Sequence, residues 1–282
     1  MKKSNLFIAL FSFNLLINQP PAFAVKSSLL NERVDSNIDI NDLRKKAEAG
    51  DKESQLLLGA AFAQGKDVQQ DDAQALLWFQ KAAQQGDAMA QHNLGVMYAE
   101  GKGIKQDYSQ ALMWLQKAGE QGYAPAQGAL GAMYDNGVGV KQDYSQALMW
   151  YKKAAEQGLA IAQNNLGFMY DEGKGVKQDY PQALMWYKKA AAQGLAMAQH
   201  NLGSMYDEGK GVKQDYTQAL MLYKKAAEQG FAPAQYNLGL MYDKGKGVRK
   251  DNLQASVWFQ KAAQQGYTPV QAIGEKIKKM IQ

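Results

Sequence analysis

Residues 159–194 read LAIAQNNLGFMYDEGKGVKQDYPQALMWYKKAAAQG, and close variants of this 36-residue stretch fill most of the chain. A Leu-Gly pair recurs every 36 residues, at Leu58-Gly59, Leu94-Gly95, Leu130-Gly131, Leu166-Gly167, Leu202-Gly203 and Leu238-Gly239. Repeats of this length indicate a solenoid, in which no unit buries its apolar face alone. We number six repeats, 51–86, 87–122, 123–158, 159–194, 195–230 and 231–266, and count columns 1 to 36 within each.

Each repeat reads as two helices joined by a glycine loop. In the fourth repeat Ala162, Leu166 and Met169 are spaced as one face of an amphipathic helix, which we expect to end near Glu172. A second helix is predicted to begin at Asp179, a good N-cap residue, and to end at Gly194.

The ends of the chain differ from the repeats. Residues 42–50 match only the tail of a second helix and are predicted to form an N-terminal capping helix, and residues 25–41 form a mobile lead-in. Residues 267–282 begin like a seventh repeat, but Glu275 stands in its glycine column. We expect this segment to be a more polar C-terminal capping helix.

The first 24 residues have the pattern of a secretory signal peptide. Lys2 and Lys3 precede an apolar run from Leu6 to Ile17, and Ala22-Phe23-Ala24 supplies an A-x-A cleavage site. The alternative is a membrane anchor, but the run is shorter than the ~20 residues that a bilayer core requires. We expect cleavage after Ala24, a periplasmic or secreted protein, and no stable membrane insertion afterwards.

The composition leaves little material for catalysis. The 282 residues are 46% hydrophobic and 21% charged, with two His and no Cys, which excludes a disordered tail and a disulfide scaffold. Without residues 1–24 the chain keeps 30 basic against 27 acidic side chains, a weak argument for any polyanion. We therefore expect no enzyme activity, no catalytic residue, no metal, no cofactor and no nucleic-acid partner.

The Leu-Gly-x-Met-Tyr helix, the Gly-x-Gly-Val loop, the Asp-Tyr-x-Gln-Ala-Leu-x-Trp segment and the Lys-Ala-Ala end resemble the Sel-1-like repeat family, relatives of the tetratricopeptide repeat. The resemblance covers about residues 41–274 and is weakest in the first repeat, where Asp67 replaces a loop glycine. It implies an all-α, right-handed superhelical solenoid of α-hairpins that binds other proteins. Secreted bacterial members are associated with envelope assembly, signalling and host interaction.

Three patterns that suggest chemistry have simpler explanations. The GKGVKQD loop lacks the Ser or Thr of a phosphate-binding loop and follows a helix rather than a strand. The tryptophans of the second helices lie four residues before an alanine of the helix face, as Trp150 does before Ala154, which predicts core packing rather than a stacking platform. Acidic pairs such as Asp171-Glu172 lie beside loop lysines and predict compensating surface charges.

Columns 3, 6 and 10 of the first helix vary between repeats, whereas most other columns are nearly constant. Their spacing places them on one helix face, roughly opposite the apolar stripe, where a stacked solenoid lines its concave groove. The predicted partner-binding residues are Met89, His92, Val96, Ile161, Asn164, Phe168, Met197, His200, Ser204, Tyr236 and Leu240. The alternatives are drift on a solvent-exposed face and packing between neighbouring repeats.

We interpret the chain as an exported, monomeric, non-catalytic scaffold that holds a peptide or protein segment in this groove. Phe168 and Tyr236 are the expected hot spots, and their truncation should leave thermal unfolding nearly unchanged. Asn165, Asn201 and Asn237 are either polar anchors for the partner or structural hydrogen bonds between repeats. The rival classes are a β-lactam- or peptidoglycan-acting enzyme of a cysteine-rich Sel-1-like branch, which the absence of Cys disfavours, and a structural envelope spacer.

Overall fold

The computed structural model describes residues 39–267. The predicted signal peptide (1–24), residues 25–38 of the predicted lead-in and residues 268–282 of the predicted C-terminal cap lie outside the described residues. The chain divides into two compact units, of which the first ends at Ala162 and the second begins at Gln163.

Within residues 39–267 the chain forms thirteen α-helices and no strand. They are α1 (Ile40–Glu48), α2 (Lys52–Gln64), α3 (Asp72–Gln84), α4 (Ala88–Glu100), α5 (Tyr108–Glu120), α6 (Ala124–Asn136), α7 (Tyr144–Glu156), α8 (Ala160–Glu172), α9 (Tyr180–Ala192), α10 (Ala196–Glu208), α11 (Tyr216–Glu228), α12 (Ala232–Lys244) and α13 (Asn252–Gln264). Each repeat contributes two of them, a first helix of even number and a second helix of odd number. The predicted all-α arrangement of stacked helical hairpins is confirmed.

The helix boundaries follow local sequence signals. Asp179 caps α9, because its carboxylate accepts a hydrogen bond of 3.0 Å from the backbone N–H of Gln182. Pro181 lies in the first turn of that helix, where its missing N–H costs no hydrogen bond. The first helix of the same repeat ends at Glu172, and Gly173 follows with a φ of 67°. These predictions from the fourth repeat are confirmed.

The N-terminal helix starts earlier than the sequence predicted. Helix α1 covers Ile40–Glu48 rather than 42–50, so residues 40 and 41 were wrongly placed in the lead-in. The reason is an N-cap at Asp39, whose side chain accepts from the backbone N–H of Asn41 at 2.9 Å. Helix α1 packs against α2 as a second helix packs against the next repeat.

The two helices of a repeat pack on each other, and within each unit the second helix also packs on the first helix of the next repeat. The contact inside a repeat is close because column 9 is glycine. In the fourth repeat a Cβ atom on Gly167 would lie only 2.8 Å from the ring of Tyr187, which is buried on α9. A side chain in this column would therefore force the two helices apart.

A pair of glutamines joins each repeat to the one before it, and we call this pair the glutamine relay. The column 5 glutamine is buried and donates from Nε2 to a backbone carbonyl in the last turn of the preceding second helix. These bonds are Gln55 to Ala47, Gln91 to Ala83, Gln127 to Gly119, Gln199 to Ala191 and Gln235 to Ala227. The column 35 glutamine of the same repeat donates to the Oε1 of the first, as Gln121 does to Gln91 at 2.7 Å.

The Gly167→Ala variant tests the close packing inside a repeat. Alanine favours a helix by about 1 kcal/mol over glycine, so an open site would make this change stabilising. Because the added methyl group meets the rigid ring of Tyr187, we expect instead a net loss of about 1–3 kcal/mol. Urea unfolding measures the shift, and an unfolding midpoint above that of the wild type would contradict the packing argument.

Candidate functional site

The first helices carry the predicted partner-binding residues, and their exposure differs between the two units. In the first unit Met89, His92 and Ile161 are buried and only Val96 is half-buried. In the second unit Asn164 is buried, at 2% exposure. The expectation that these four residues face an open groove was wrong. The six others of the second unit are half-buried, namely Phe168, Met197, His200, Ser204, Tyr236 and Leu240.

The physical reason lies in the contacts of column 6. Its side chain packs against the first residue of the following repeat, which leads into the next first helix. The ring centroids of His92 and Tyr123 are 5.4 Å apart in the first unit, and those of His200 and Phe231 are 5.4 Å apart in the second. This contact supports the alternative that the variable columns serve packing between neighbouring repeats.

The two expected hot spots also have packing partners. The ring of Tyr236 lies 5.3 Å from that of Phe259 and 5.8 Å from that of Tyr267, and the ammonium group of Lys174 lies 4.8 Å from the ring centroid of Phe168. Truncating Tyr236 removes two aromatic contacts, each worth about 0.5–1.5 kcal/mol. We therefore expect Tyr236→Ala to lower the melting temperature, contrary to the expectation from sequence.

A chain of side-chain hydrogen bonds runs across the first helices of the second unit. The Nδ2 of Asn237 lies 3.0 Å from the Nε2 of His200, and the Nδ1 of His200 lies 3.3 Å from the Oδ1 of Asn201. Asn201 donates to the Oδ1 of Asn164 at 3.0 Å, and Asn164 donates to the Oδ1 of Asn165 at 3.2 Å. Because an amide nitrogen only donates and its oxygen only accepts, His200 carries its proton on Nδ1. We call these five residues the polar chain.

The polar chain follows a simple rule, in which the column 7 asparagine bonds to the column 6 residue of the preceding repeat. The structural alternative for Asn201 and Asn237 is thereby supported, and each links two repeats. In the first unit the rule fails at Asn93, because the preceding column 6 residue is Leu56, which has no acceptor. The Nδ2 of Asn93 is buried without a hydrogen-bond partner within residues 39–267, and sequence reasoning missed it.

His92 is buried in an apolar setting in the first unit. Burial lowers the pKa of His92 to about 4, because the charged imidazolium loses its hydration. Its Nδ1 has no hydrogen-bond partner in the described part of the chain, and the same holds for the hydroxyl of the adjacent Tyr123. Burial, together with the charge of Asp87, raises the pKa of Tyr123. Both rings are therefore neutral near pH 7 and act as packing groups.

The tryptophans pack as predicted. Trp78, Trp150 and Trp186 are buried, and Trp114 and Trp258 are half-buried. Each tryptophan ring is covered by the lysine three residues later, whose ammonium group lies 4.1 to 4.4 Å from the ring centroid. The column is therefore closed to stacking ligands.

The loop charges compensate one another, as predicted. Lys210 pairs with Glu208 at 2.8 Å beside the loop of the fifth repeat. The loop lysine Lys246 reaches back to Asp207 of the preceding repeat at 3.0 Å, so this pair also links two repeats. Within residues 39–267 no group of three His, Cys, Asp or Glu side chains is arranged to hold a metal ion.

The second helices expose one large apolar side chain each in column 27, a feature that the sequence interpretation did not use. These residues are Leu77, Met113, Met149, Met185, Met221 and Val257. They lie on a different face from the variable columns, because they belong to the other helix of each repeat. The protein therefore has two apolar surfaces that a partner could contact.

The stacked hairpins, the glutamine relay and the repeating caps define an α-solenoid repeat protein. The Sel1 repeat family model matches residues 52–87, 88–123, 124–159, 160–195, 196–231 and 232–267, one residue later than the repeats numbered above. The chain belongs to the Sel1 repeat family. Sel1 repeats commonly mediate protein–protein interactions, and the family generally provides non-catalytic scaffolds.

Two solved structures are similar over most of the chain. One is c5321, a protective antigen present in uropathogenic Escherichia coli strains, with 43% identity and a TM-score of 0.73 over 80% of this chain. The match covers 48% of the c5321 chain, so this protein spans about half of its length. The other is a Sel1 repeat protein from Oxalobacter formigenes, with 33% identity and a TM-score of 0.72, over 80% of this chain and 99% of that one. A comparison with curated proteins gave no match.

No helix among residues 39–267 is both long enough and apolar enough to cross a bilayer.

The polar chain predicts opposite outcomes for one substitution at two equivalent positions. Asn201→Leu removes the donor to Asn164 and leaves a buried carbonyl oxygen unpaired, so we expect a loss of about 1–3 kcal/mol. Asn93→Leu removes a donor that has no partner within residues 39–267, and should be neutral or stabilising. Urea unfolding of both variants measures the difference, and equal losses would contradict the pairing rule.

The buried His92 predicts a pH dependence. The unfolded chain binds a proton near pH 6.5 and the folded chain only near pH 4, so stability falls as the pH drops through this window, by at most about 1.4 kcal/mol per pH unit. The His92→Leu variant places in column 6 the residue that the first repeat already has. Melting temperatures measured from pH 7 to 4 should fall less steeply for this variant, and parallel curves would place His92 in water.

Proposed function

We propose that this protein is a non-catalytic scaffold that binds a peptide or protein segment on the first-helix face of its second unit. One observation carries the choice of unit. The variable-column residues are half-buried there, whereas most of their counterparts in the first unit are buried. A half-buried apolar side chain keeps part of its surface for a partner and is already fixed by its neighbours, which lowers the entropy cost of binding.

The surface combines apolar and polar groups. Met197, Tyr236 and Leu240 offer apolar contact area, and the partly exposed amides of Asn201 and Asn237 lie beside them in the sequence of each helix. The polar chain holds these amides in one orientation, so their remaining hydrogen-bonding groups are positioned before a partner arrives. Such an arrangement suits a segment that presents both apolar side chains and backbone polar groups.

The proposal includes export to the periplasm or beyond, with cleavage after Ala24. The N-terminal pattern of two lysines, an apolar run and an A-x-A site supports this location. The similarity to c5321 supports it as well, since a protective antigen has to be accessible to the immune system. A role in the cell envelope, in signalling or in host interaction fits such a location.

Two matched double variants test which surface binds. Phe168→Ser with Leu240→Ser changes the first-helix face of the second unit, and Met185→Ser with Met221→Ser changes the outer face of its second helices. Mature protein and both variants are immobilised and used to capture proteins from an envelope extract. We expect a protein retained by the wild type and by the second variant to be lost from the first.

Circular dichroism and melting curves of both variants serve as the control for folding. The reverse result, in which only the second variant loses the captured protein, would assign binding to the exposed column 27 side chains. Retention of the same proteins by both variants would contradict binding on either face of the second unit.

A further inference from the structure

The last second helix, α13, has an apolar face that its counterparts cover. Trp186 and Tyr187 on α9 are buried, and so is Tyr223 on α11, because the next first helix packs over each of them. On α13 the equivalent Trp258 and Phe259 are only half-buried. Ala263, in the column where Ala227 is 2% exposed, lies open to solvent. Nothing within residues 39–267 covers this face, which we call the α13 face.

We propose that residues 268–282 of this same chain dock on the α13 face as a seventh first helix. The glutamine relay supplies the main argument. Gln265 already donates to Gln235 at 2.9 Å, as the equivalent glutamines do in the other repeats. The next relay donor is required in column 5 of the following segment, and Gln271 stands there, 36 residues after Gln235. Its acceptor is the carbonyl oxygen of Ala263, which is equivalent to that of Ala227.

The sequence of the segment fits the shape of the face. Val270, Ile273, Ile277 and Ile281 follow one another at spacings that place them on one side of a helix. Pro269 stands in column 3, where Pro125 and Pro233 lie in the first turns of α6 and α12. The segment therefore carries both the start signal and the apolar stripe of a first helix.

Glu275 shows how the segment differs from a full repeat. In the six repeats column 9 is glycine, because the second helix of the same repeat packs a side chain against it, as Phe259 does against Gly239. Glutamate in this column excludes such a helix and places a charge on the outer side. The docked segment therefore closes the stack of helices and presents a polar surface.

The opposite end of the array departs from the glycine pattern for the same reason. In later repeats the column 17 glycine meets the second helix of the preceding repeat, and a Cβ on Gly103 would overlap the backbone of Asp72. In the first repeat this column holds Asp67, with a φ of 59°. No repeat precedes it among the described residues, so the side chain has room there. A lost glycine thus marks the array end at both sites.

A cysteine pair tests the docking directly, since the chain has no cysteine of its own. The positions are chosen by equivalence, because a Cβ on Gly119 would lie 2.8 Å from Leu130 in the corresponding columns of the first unit. In the full chain, Ala263→Cys with Gly274→Cys should form an intramolecular disulfide under mild oxidation. The control, Ala263→Cys with Lys276→Cys, places the second thiol on the far side of the predicted helix and should not.

Non-reducing electrophoresis and peptide mapping separate the outcomes. A disulfide within one chain for the first pair only supports the proposal. A disulfide between two chains would assign the α13 face to a second copy, and equal reaction of both pairs, or of neither, would overturn the docking.

Hydrogen exchange on chains without engineered cysteines gives a second measurement. The backbone amides of residues 272–281 should exchange slowly in the wild type and about tenfold faster in Gln271→Ala, because the relay bond is lost. The matched change Gln264→Ala, at the exposed end of α13, should leave them unchanged. Fast exchange of this segment in the wild type would also overturn the proposal.

Discussion

The stacking of this protein depends on a hydrogen bond between a buried glutamine and the end of another helix. The last carbonyls of an α-helix have no partner inside the helix, and each second helix leaves one of them facing the next repeat. Gln91 satisfies the carbonyl of Ala83 at 3.1 Å, and the same bond recurs along each unit. A glutamine buried without this bond would cost about 1–3 kcal/mol. No repeat is therefore complete until its neighbour is folded beside it, which is the behaviour expected of a solenoid.

Much of the fold could be predicted because its signals are local. The 36-residue period, the aspartate caps and the glycines that end the first helices specify where each helix begins and ends. The glutamine relay was equally visible, since Gln55 and Gln85 both recur at the repeat period. A polar residue on a helix is ordinarily taken for a surface residue, and the burial of these glutamines depends on a carbonyl eight residues earlier, across a turn.

The variable columns could not be placed from sequence for a related reason. Helix periodicity orders residues around one axis, but the exposure of a face depends on all the helices that surround it. The partners of column 6 lie far along the chain. His92 contacts Tyr123, 31 residues later, and Asn164 accepts from Asn201, 37 residues later. Apolar residues in these columns therefore indicate packing between repeats as readily as a binding surface.

The difference between the two units follows from the residues in these columns. In the first unit the third repeat carries Gly128, Ala129 and Ala132 in columns 6, 7 and 10, so its first helix adds almost no side-chain volume to this face. Met89 and His92 of the neighbouring repeat are buried, and Asn93 lacks an acceptor within the described residues.

In the second unit the sixth repeat has Tyr236, Asn237 and Leu240 in the same columns. Asn237 pairs with His200, and the larger side chains stay half-exposed. A repeat array can thus keep one helix geometry and still vary its surface, because three columns decide whether neighbouring side chains close over one another or remain open to a partner. The constant columns preserve the stack, and the variable columns make one unit a closed support and the other a recognition surface.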